Sequence, residues 1–263
     1  MIGKGLAGFN LINLQEYRST EFEAARTADL VRIVPRNRTS ILDIGARDGH
    51  VSKLLTPYFE KVVALDLKRP GFDYPGIETI GGDVTDLPFP DNSFDCVLCA
   101  EVLEHIPDLQ QACREIARVA RHEAIIGVPF KQETRIGRTT CRACGKVSPQ
   151  WGHLNSFDQE KLQGLFAGLT PSEVSFVETT RAATNSLSVL LMDLADNPWG
   201  TYDQDEPCVH CGAELIPPTL ERSFWSKACS AVAARLNAIQ ELFTPPHANW
   251  IHVVFCKTSN PSP

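Results

Sequence analysis

Residues 41–55 read I-L-D-I-G-A-R-D-G-H-V-S-K-L-L. A short strand at 41–44 runs into a glycine-containing turn at 45–49, and an amphipathic helix begins near His50. Glycine lets a backbone turn tightly and approach a ligand closely, and a new helix presents free N–H groups. The next strand, V-V-A-L-D-L at 62–67, carries Asp66 near its end. That is about twenty residues past the turn, where a carboxylate in a doubly wound sheet can accept both hydroxyls of a ribose. A strand–turn–helix–strand run of this kind constrains the chain to a parallel α/β sheet with a nucleoside-binding crevice at the carboxyl ends of its strands.

The continuation sharpens this reading. Gly82-Asp83 follows a third strand-like stretch at 77–80. Next come D-L-P-F-P-D-N-S-F-D at 86–95, the apolar strand Cys96-Val97-Leu98-Cys99, and A-E-V-L-E-H-I-P at 100–107. The succession resembles the class I S-adenosylmethionine-dependent methyltransferases of the ubiquinone-biosynthesis (type 11) group. The likeness is close over residues 39–130 and looser through G-H-L-N-S-F-D at 152–158. It implies a Rossmann-like, seven-stranded, doubly wound sheet with helices on both faces and an antiparallel last pair. It also implies S-adenosylmethionine as cofactor. Asp43, Gly45 and Gly49 match the motif that cradles the methionine part. Asp66, with Leu67 beside it, matches the ribose-binding acid, and Asp83 and Val84 match the pair beside the adenine. Ala100 and Glu101 match the positions facing cofactor and substrate. Arg47 stands where a glycine is usual; a cation there can contact the methionine carboxylate or point to solvent.

With 263 residues, 43% of them hydrophobic, the chain can build one sizeable core and a small appended module. The expected division is an N-terminal helical cover at 1–38 and a methyltransferase domain at 39–263. A net charge of -7 argues against nucleic acid as a partner. No apolar run approaches the ~20 residues of a membrane span. The first ten residues, M-I-G-K-G-L-A-G-F-N, lack a continuous apolar signal region, so a cytoplasmic protein is expected.

Nine cysteines are many for such a protein, and an odd number fits a disulfide framework poorly. Cys96, Cys99, Cys113, Cys229 and Cys256 lie in apolar or helical contexts and read as small buried thiols. The other four form near-copies, Cys141-Arg-Ala-Cys144-Gly and Cys208-Val-His-Cys211-Gly. Each C-x-x-C-G turn points two thiolates at one place, and four soft ligands suit tetrahedral zinc. Four thiolates leave no open position, so the zinc would be structural, in a module formed by about 131–152 and 197–218. The gap between the pairs is wider than the about 15–20 residues of common zinc ribbons, which implies an inserted segment. A redox-active dithiol is the alternative, but it calls for a motif opening a helix after a strand.

Helical periodicity covers residues 11–34, 50–55, 107–120, 158–165, 186–196 and 219–242, with Pro107 as a helix start and Ser156-x-x-Gln159 as a capping box. A sixth strand is expected at 174–179 and a last one at 250–256. For catalysis the candidates are Glu101, His105 and His153, with Glu104 nearby; a hydroxyl acceptor needs a base close to its proton. Trp151 and Trp199 offer aromatic platforms. The favoured acceptor is a small molecule or glycan, at a hydroxyl. One alternative is an RNA methyltransferase that grips RNA through the knuckles, whose neighbours Lys131, Arg135, Arg138, Arg142 and Lys146 form a basic run. Another is a non-catalytic adaptor, for which Arg47 is the one supporting feature. The helix at 219–242 offers a partner surface without fixing an oligomeric state.

Overall fold

The computed structural model describes residue 18 and residues 20–218 and 221–257. The leading part of the helical stretch expected at 11–34, the first two residues of the helix expected at 219–242, and the leading part of the 1–38 cover lie outside the described residues. The chain divides into two compact units. The larger comprises Ala24–Lys131, Phe157–Glu178 and Ala248–Pro263; the smaller comprises Met1–Glu23, Gln132–Ser156 and Thr179–His247.

The larger unit is built on a seven-stranded sheet. In chain order come α1 (Glu21–Ile33), β1 (Ser40–Ile44), α2 (His50–Leu55), β2 (Lys61–Asp66), β3 (Ile77–Gly81), β4 (Phe94–Ala100), α3 (Leu109–Val119) and β5 (Ala120–Pro129). A two-stranded ladder follows, β6 (Thr139–Thr140) with β7 (Val147–Ser148), then α4 (Gln159–Leu165), β8 (Leu169–Thr180), α5 (Ser186–Leu194), α6 (Phe224–Phe243) and β9 (His247–Lys257). The sheet order is β3-β2-β1-β4-β5-β9-β8. Strands β1 to β5 are parallel, and β9 runs antiparallel to β5, with Gly127 opposite His252. This is the expected doubly wound, Rossmann-like sheet with helices on both faces.

Period-two alternation sorts the apolar residues of each strand to opposite faces. Leu42, Ile44, Val63, Leu65, Val97, Cys99, Ala124 and Ile126 join the α3 residues Ala112, Cys113 and Ile116 in one core. Ile41, Val62, Cys96, Leu98 and Ile125 join the α1 residues Leu30, Ile33 and Val34 in the other. Strands buried on both faces read as continuous apolar runs, as β4 and β5 do. At the amino end of the sheet, Asp95 accepts from the Thr39 N–H (3.0 Å), the Thr39 hydroxyl (2.8 Å) and the Ser40 N–H (3.1 Å). Burial opposes ionisation of Asp95, but these donors outweigh it and hold its carboxyl near 2.

Three expectations need correction. Helix α3 starts at Leu109, not Pro107: Asp108 is the cap and accepts from the Gln111 N–H, so the proline stands just before it. At α4 the cap is Asp158, which accepts from the Lys161 N–H, whereas the Ser156 hydroxyl donates to the Gln132 carbonyl. Cys229 and Cys256 are half-buried, unlike the fully buried Cys96, Cys99 and Cys113. Among the described residues no helix is long and apolar enough to cross a membrane.

Phe255 is fully buried and stacks on Phe166, ring centroids 4.8 Å apart. Phe255→Ala is expected to destabilise the larger unit by about 3–5 kcal/mol, read by chemical denaturation. A loss under about 1 kcal/mol would mean that this site collapses around the deletion.

Candidate functional site

At the carboxyl end of β1 the chain reverses through three left-handed residues, Gly45 (φ 82), Arg47 (φ 48) and Gly49 (φ 75). A Cβ on Gly45 would collide with the Val102 side chain, and one on Gly49 with the Phe72 ring, so neither position admits a larger residue without movement. Arg47 holds a conformation that glycine reaches without steric penalty, which gives a physical reason for glycine being usual there. The N–H groups of Gly45 (2.8 Å) and Ala46 (3.1 Å) donate to the Leu65 carbonyl, so the turn is fastened to the end of β2.

Asp66 closes β2. Its Oδ2 accepts from the Arg47 N–H (2.9 Å) and its Oδ1 from the Leu67 N–H (2.7 Å). A carboxylate has about four lone-pair sites, so two acceptor positions remain on a fixed group. Leu67 projects into solvent, 74% exposed. Asp43 is buried and accepts from the Ser52 hydroxyl at 2.5 Å, which ties β1 to α2. Burial, reinforced by the charge of Asp66, pushes the Asp43 carboxyl up to about 7 against the pull of Ser52. Asp83 accepts from the Thr85 N–H and hydroxyl, both at 2.8 Å, and so shapes the turn after β3, with Val84 buried behind it.

Ala100 ends β4, and Glu101 follows with φ 60, its N–H donating to the Gly127 carbonyl at 3.0 Å. The Glu101 carboxylate pairs with the Arg26 guanidinium at 2.5 Å. Arg26 is itself buried and lies 4.0 Å over the Trp250 ring. Nearby, His252 is fully buried and its Nδ1 lies 2.7 Å from Asp29 Oδ2. Burial disfavours the imidazolium and lowers the His252 pKa although Asp29 opposes this. Arg26, Asp29, Trp250 and His252 have little signature in the sequence beyond a histidine inside the apolar last strand.

Glu104 and His105 form a single 3-10 turn after β4. Glu104 is 1% exposed, and neither carboxyl oxygen has a hydrogen-bond partner among the described residues. Burial, with Glu101 adding to it, pushes its pKa up to about 8. Burial and then the Arg47 cation push His105 down to about 4. At neutral pH both groups are therefore uncharged, one as an acid and one as a free imidazole.

In the smaller unit, His153 is buried with Nδ1 2.6 Å from Gln132 Oε1, and Trp151 is exposed in a left-handed conformation (φ 49). The same unit brings the cysteine pairs together. Cys141 Sγ lies 3.7 Å from Cys211 Sγ, Cys144 Sγ lies 3.7 Å from Cys208 Sγ, and all four sulfurs are within 4.8 Å of one another. The two turns are built alike. Gly145 N–H donates to Cys141 O (2.8 Å) as Gly212 N–H does to Cys208 O (2.9 Å). Cys141 N–H donates to Lys146 O, and Cys208 N–H to Ala213 O, both at 2.9 Å. Zn–S bonds of about 2.3 Å put the edge of a tetrahedral ZnS4 site at about 3.8 Å, so the sulfur spacing fits zinc. Burial opposes ionisation of Cys208, but hydrogen bonds from Ser148 and from the His210 and Cys211 backbone outweigh it and draw the thiol down to about 6.

Because Glu104 is protonated in the folded chain up to about pH 8 and ionised above about 4.5 when unfolded, the folded state binds the extra proton in that window. The stability of the wild type should therefore fall as pH rises from 5 to 8 relative to Glu104→Gln. Melting temperatures of the two proteins should converge near pH 4.5 and separate by several degrees at pH 8.5, with the variant higher. A constant offset would show that Glu104 does not titrate in this range.

Residues 42–128 match the family model described as "Methyltransferase domain". The methyltransferase YcgJ of Bacillus subtilis, named as uncharacterized, is 32% identical over 93 residues, covering 32% of this chain and 37% of that protein. The fatty-acid O-methyltransferase of Mycolicibacterium smegmatis is 31% identical over 121 residues, covering 43% of this chain and 40% of that protein. This chain thus spans about two fifths of the length of these curated relatives. The solved structure of Bacillus subtilis YcgJ superposes with a TM-score of 0.54 at 14% identity, covering 89% of this chain and 99% of that one. The superposition shows a shared Rossmann-like methyltransferase fold, and residues 42–128 are similar to the domain that the family model describes.

Proposed function

We propose that the protein is an S-adenosylmethionine-dependent methyltransferase that methylates a hydroxyl of a small molecule or glycan and holds one structural zinc. The observation that carries the reading is Asp66, a carboxylate fixed by two N–H groups at the end of β2 with acceptor positions to spare for a ribose diol. Gly45 and Gly49 give the backbone its close approach to the methionine part. Asp43 orders the turn beneath through Ser52, and Asp83 with Val84 borders the adenine. Arg47 is assigned to the methionine carboxylate, and Leu67 to an apolar face on the nucleoside.

S-adenosylmethionine, when bound, supplies a methyl group already activated on a sulfonium. The chain's own tasks are alignment and exclusion of water. Glu101, anchored by Arg26, is assigned to orient the acceptor at the end of β4. His105 is assigned to accept the acceptor's hydroxyl proton as a free imidazole. At about 4 it is a weak base, but a hydroxyl becomes far more acidic as it gains a methyl group, so a weak base suffices. His153 is kept as a candidate contact to substrate. The RNA reading loses support because Arg135 and Arg138 are engaged by Glu133 and Asp193, both at 2.6 Å.

Calorimetric titration with S-adenosylmethionine and S-adenosylhomocysteine is expected to give micromolar binding, with a loss of at least ~100-fold in Asp66→Ala from the missing charged acceptor. Equal binding by wild type and variant would place the cofactor elsewhere, and no binding by the wild type would favour the adaptor reading. For the metal, elemental analysis should find about one zinc per chain. Cys144→Ser should lose it and lower the melting temperature, as chelation of the wild type should. Metal-free wild-type protein with four reduced thiols would refute the zinc.

A further inference from the structure

Within the smaller unit, α5 and α6 form an antiparallel hairpin. Asn185 Nδ2 donates to Gln240 Oε1 (2.9 Å), the Thr184 hydroxyl donates to Asn237 Oδ1 (2.8 Å), and the Ser226 hydroxyl reaches the Ala195 carbonyl (3.1 Å). The face of α6 used there is small and polar, with Ser230 and Ala233 fully buried. The large apolar residues of α6 are instead exposed: Trp225 74%, Phe224 76%, Leu242 76% and Phe243 83%. Val232 and Ile239 are also exposed, as are Leu187, Leu190 and Leu194 on α5. Patches of this size on a folded chain mark interaction surfaces.

The spacing says what kind of surface this is. Trp225, Ala228, Val232, Arg235, Ile239 and Leu242 follow alternating steps of three and four, the a/d seam of a coiled coil carried through the length of α6. On α5, Leu187, Leu190 and Leu194 repeat the same steps. The seam is self-complementary in the antiparallel sense. Pairing a with d places Trp225 against the partner's Leu242, small Ala228 against the partner's Ile239, and Val232 beneath the aliphatic stem of the partner's Arg235, whose charged head reaches the rim. Ala231 and Ala238 flank the seam and let two backbones approach closely.

The exposed area is also of the right size. Aromatic side chains bury roughly 150–250 Å² each, so Phe224, Trp225 and Phe243 bring roughly half of the about 800 Å² per partner of a stable interface. Val232, Ile239 and Leu242 on the same helix supply the rest. A lipid surface fits less well, since Arg235 sits inside the apolar stripe and the chain carries a net charge of -7.

We propose that the α6 face is the interface of a two-fold homodimer, in which the α6 helices of two copies pack antiparallel. The proposal does not depend on the methyl-transfer reading. Sedimentation equilibrium of the full chain is expected to give twice the chain mass at micromolar concentration. The double variant Val232→Glu/Ile239→Glu should raise the dissociation constant by roughly 100-fold or more with an unchanged far-UV spectrum, since both residues are exposed in the single chain. Trp225→Ala/Leu242→Ala should weaken the dimer without adding charge, which covers the case that the first variant folds poorly. A monomeric wild type overturns the proposal, and so does a dimer that survives both variants. Co-sedimentation of a monomer with phosphatidylglycerol vesicles overturns it in favour of a lipid surface.

Discussion

The clamp between the turn after β1 and the end of β2 governs the larger unit. Three left-handed residues within five positions, 45, 47 and 49, reverse the chain. The N–H groups this frees are taken up at once, two by the Leu65 carbonyl and one by the Asp66 carboxylate. The register of β1 on β2, the start of α2 and the direction of Asp66 are therefore set by one small network. Ser52 extends it by binding Asp43, so the buried carboxyl of β1 reports on the same turn. A chain that failed to make this reversal would lose both the strand order and the fixed acid.

How far the sequence disclosed this depends on range. The turn, Asp66 and the strands around them are local features. Glycine freedom and apolar runs carry the whole signal, and the structure follows them closely. Choices between neighbours were less legible: Pro107 and Asp108, or Ser156 and Asp158, are rival helix starts two residues apart or less, and only the packed geometry decides which residue caps the helix. Long-range pairs had no signature. Nothing local links Asp29 with His252, 223 residues away, or Arg26 with Glu101. The helical period of α6 is legible, but period alone cannot say what covers an apolar residue, and it is mostly solvent that meets Phe224 and Ile239 in the single chain.

The cysteine module shows a third kind of legibility. Two short motifs of the same form predicted two turns of the same form, and their hydrogen bonds match one for one. What the spacing could not tell was whether two turns so far apart in sequence would meet. They do, sulfur to sulfur, around a small cluster of Cys141, Cys208 and Leu215 with Tyr202 and Ala213 against it. The apolar cluster is small, and the backbone hydrogen bonds of the two turns share the task of holding the sulfurs together.

The two cores flanking the sheet are unequal. The α3 side has a broad set of buried residues from several elements, while the other side is closed by α1, α2 and a handful of aliphatic contacts. From α1, on the thinner side, Arg26 reaches Glu101 after the end of β4 and Asp29 reaches His252 on β9. Undocking of α1 would release Glu101 and His252 together. Two buried or half-buried groups, one just after β4 and one on β9, thus depend on one helix, and a lesion in α1 is felt at both strands alike.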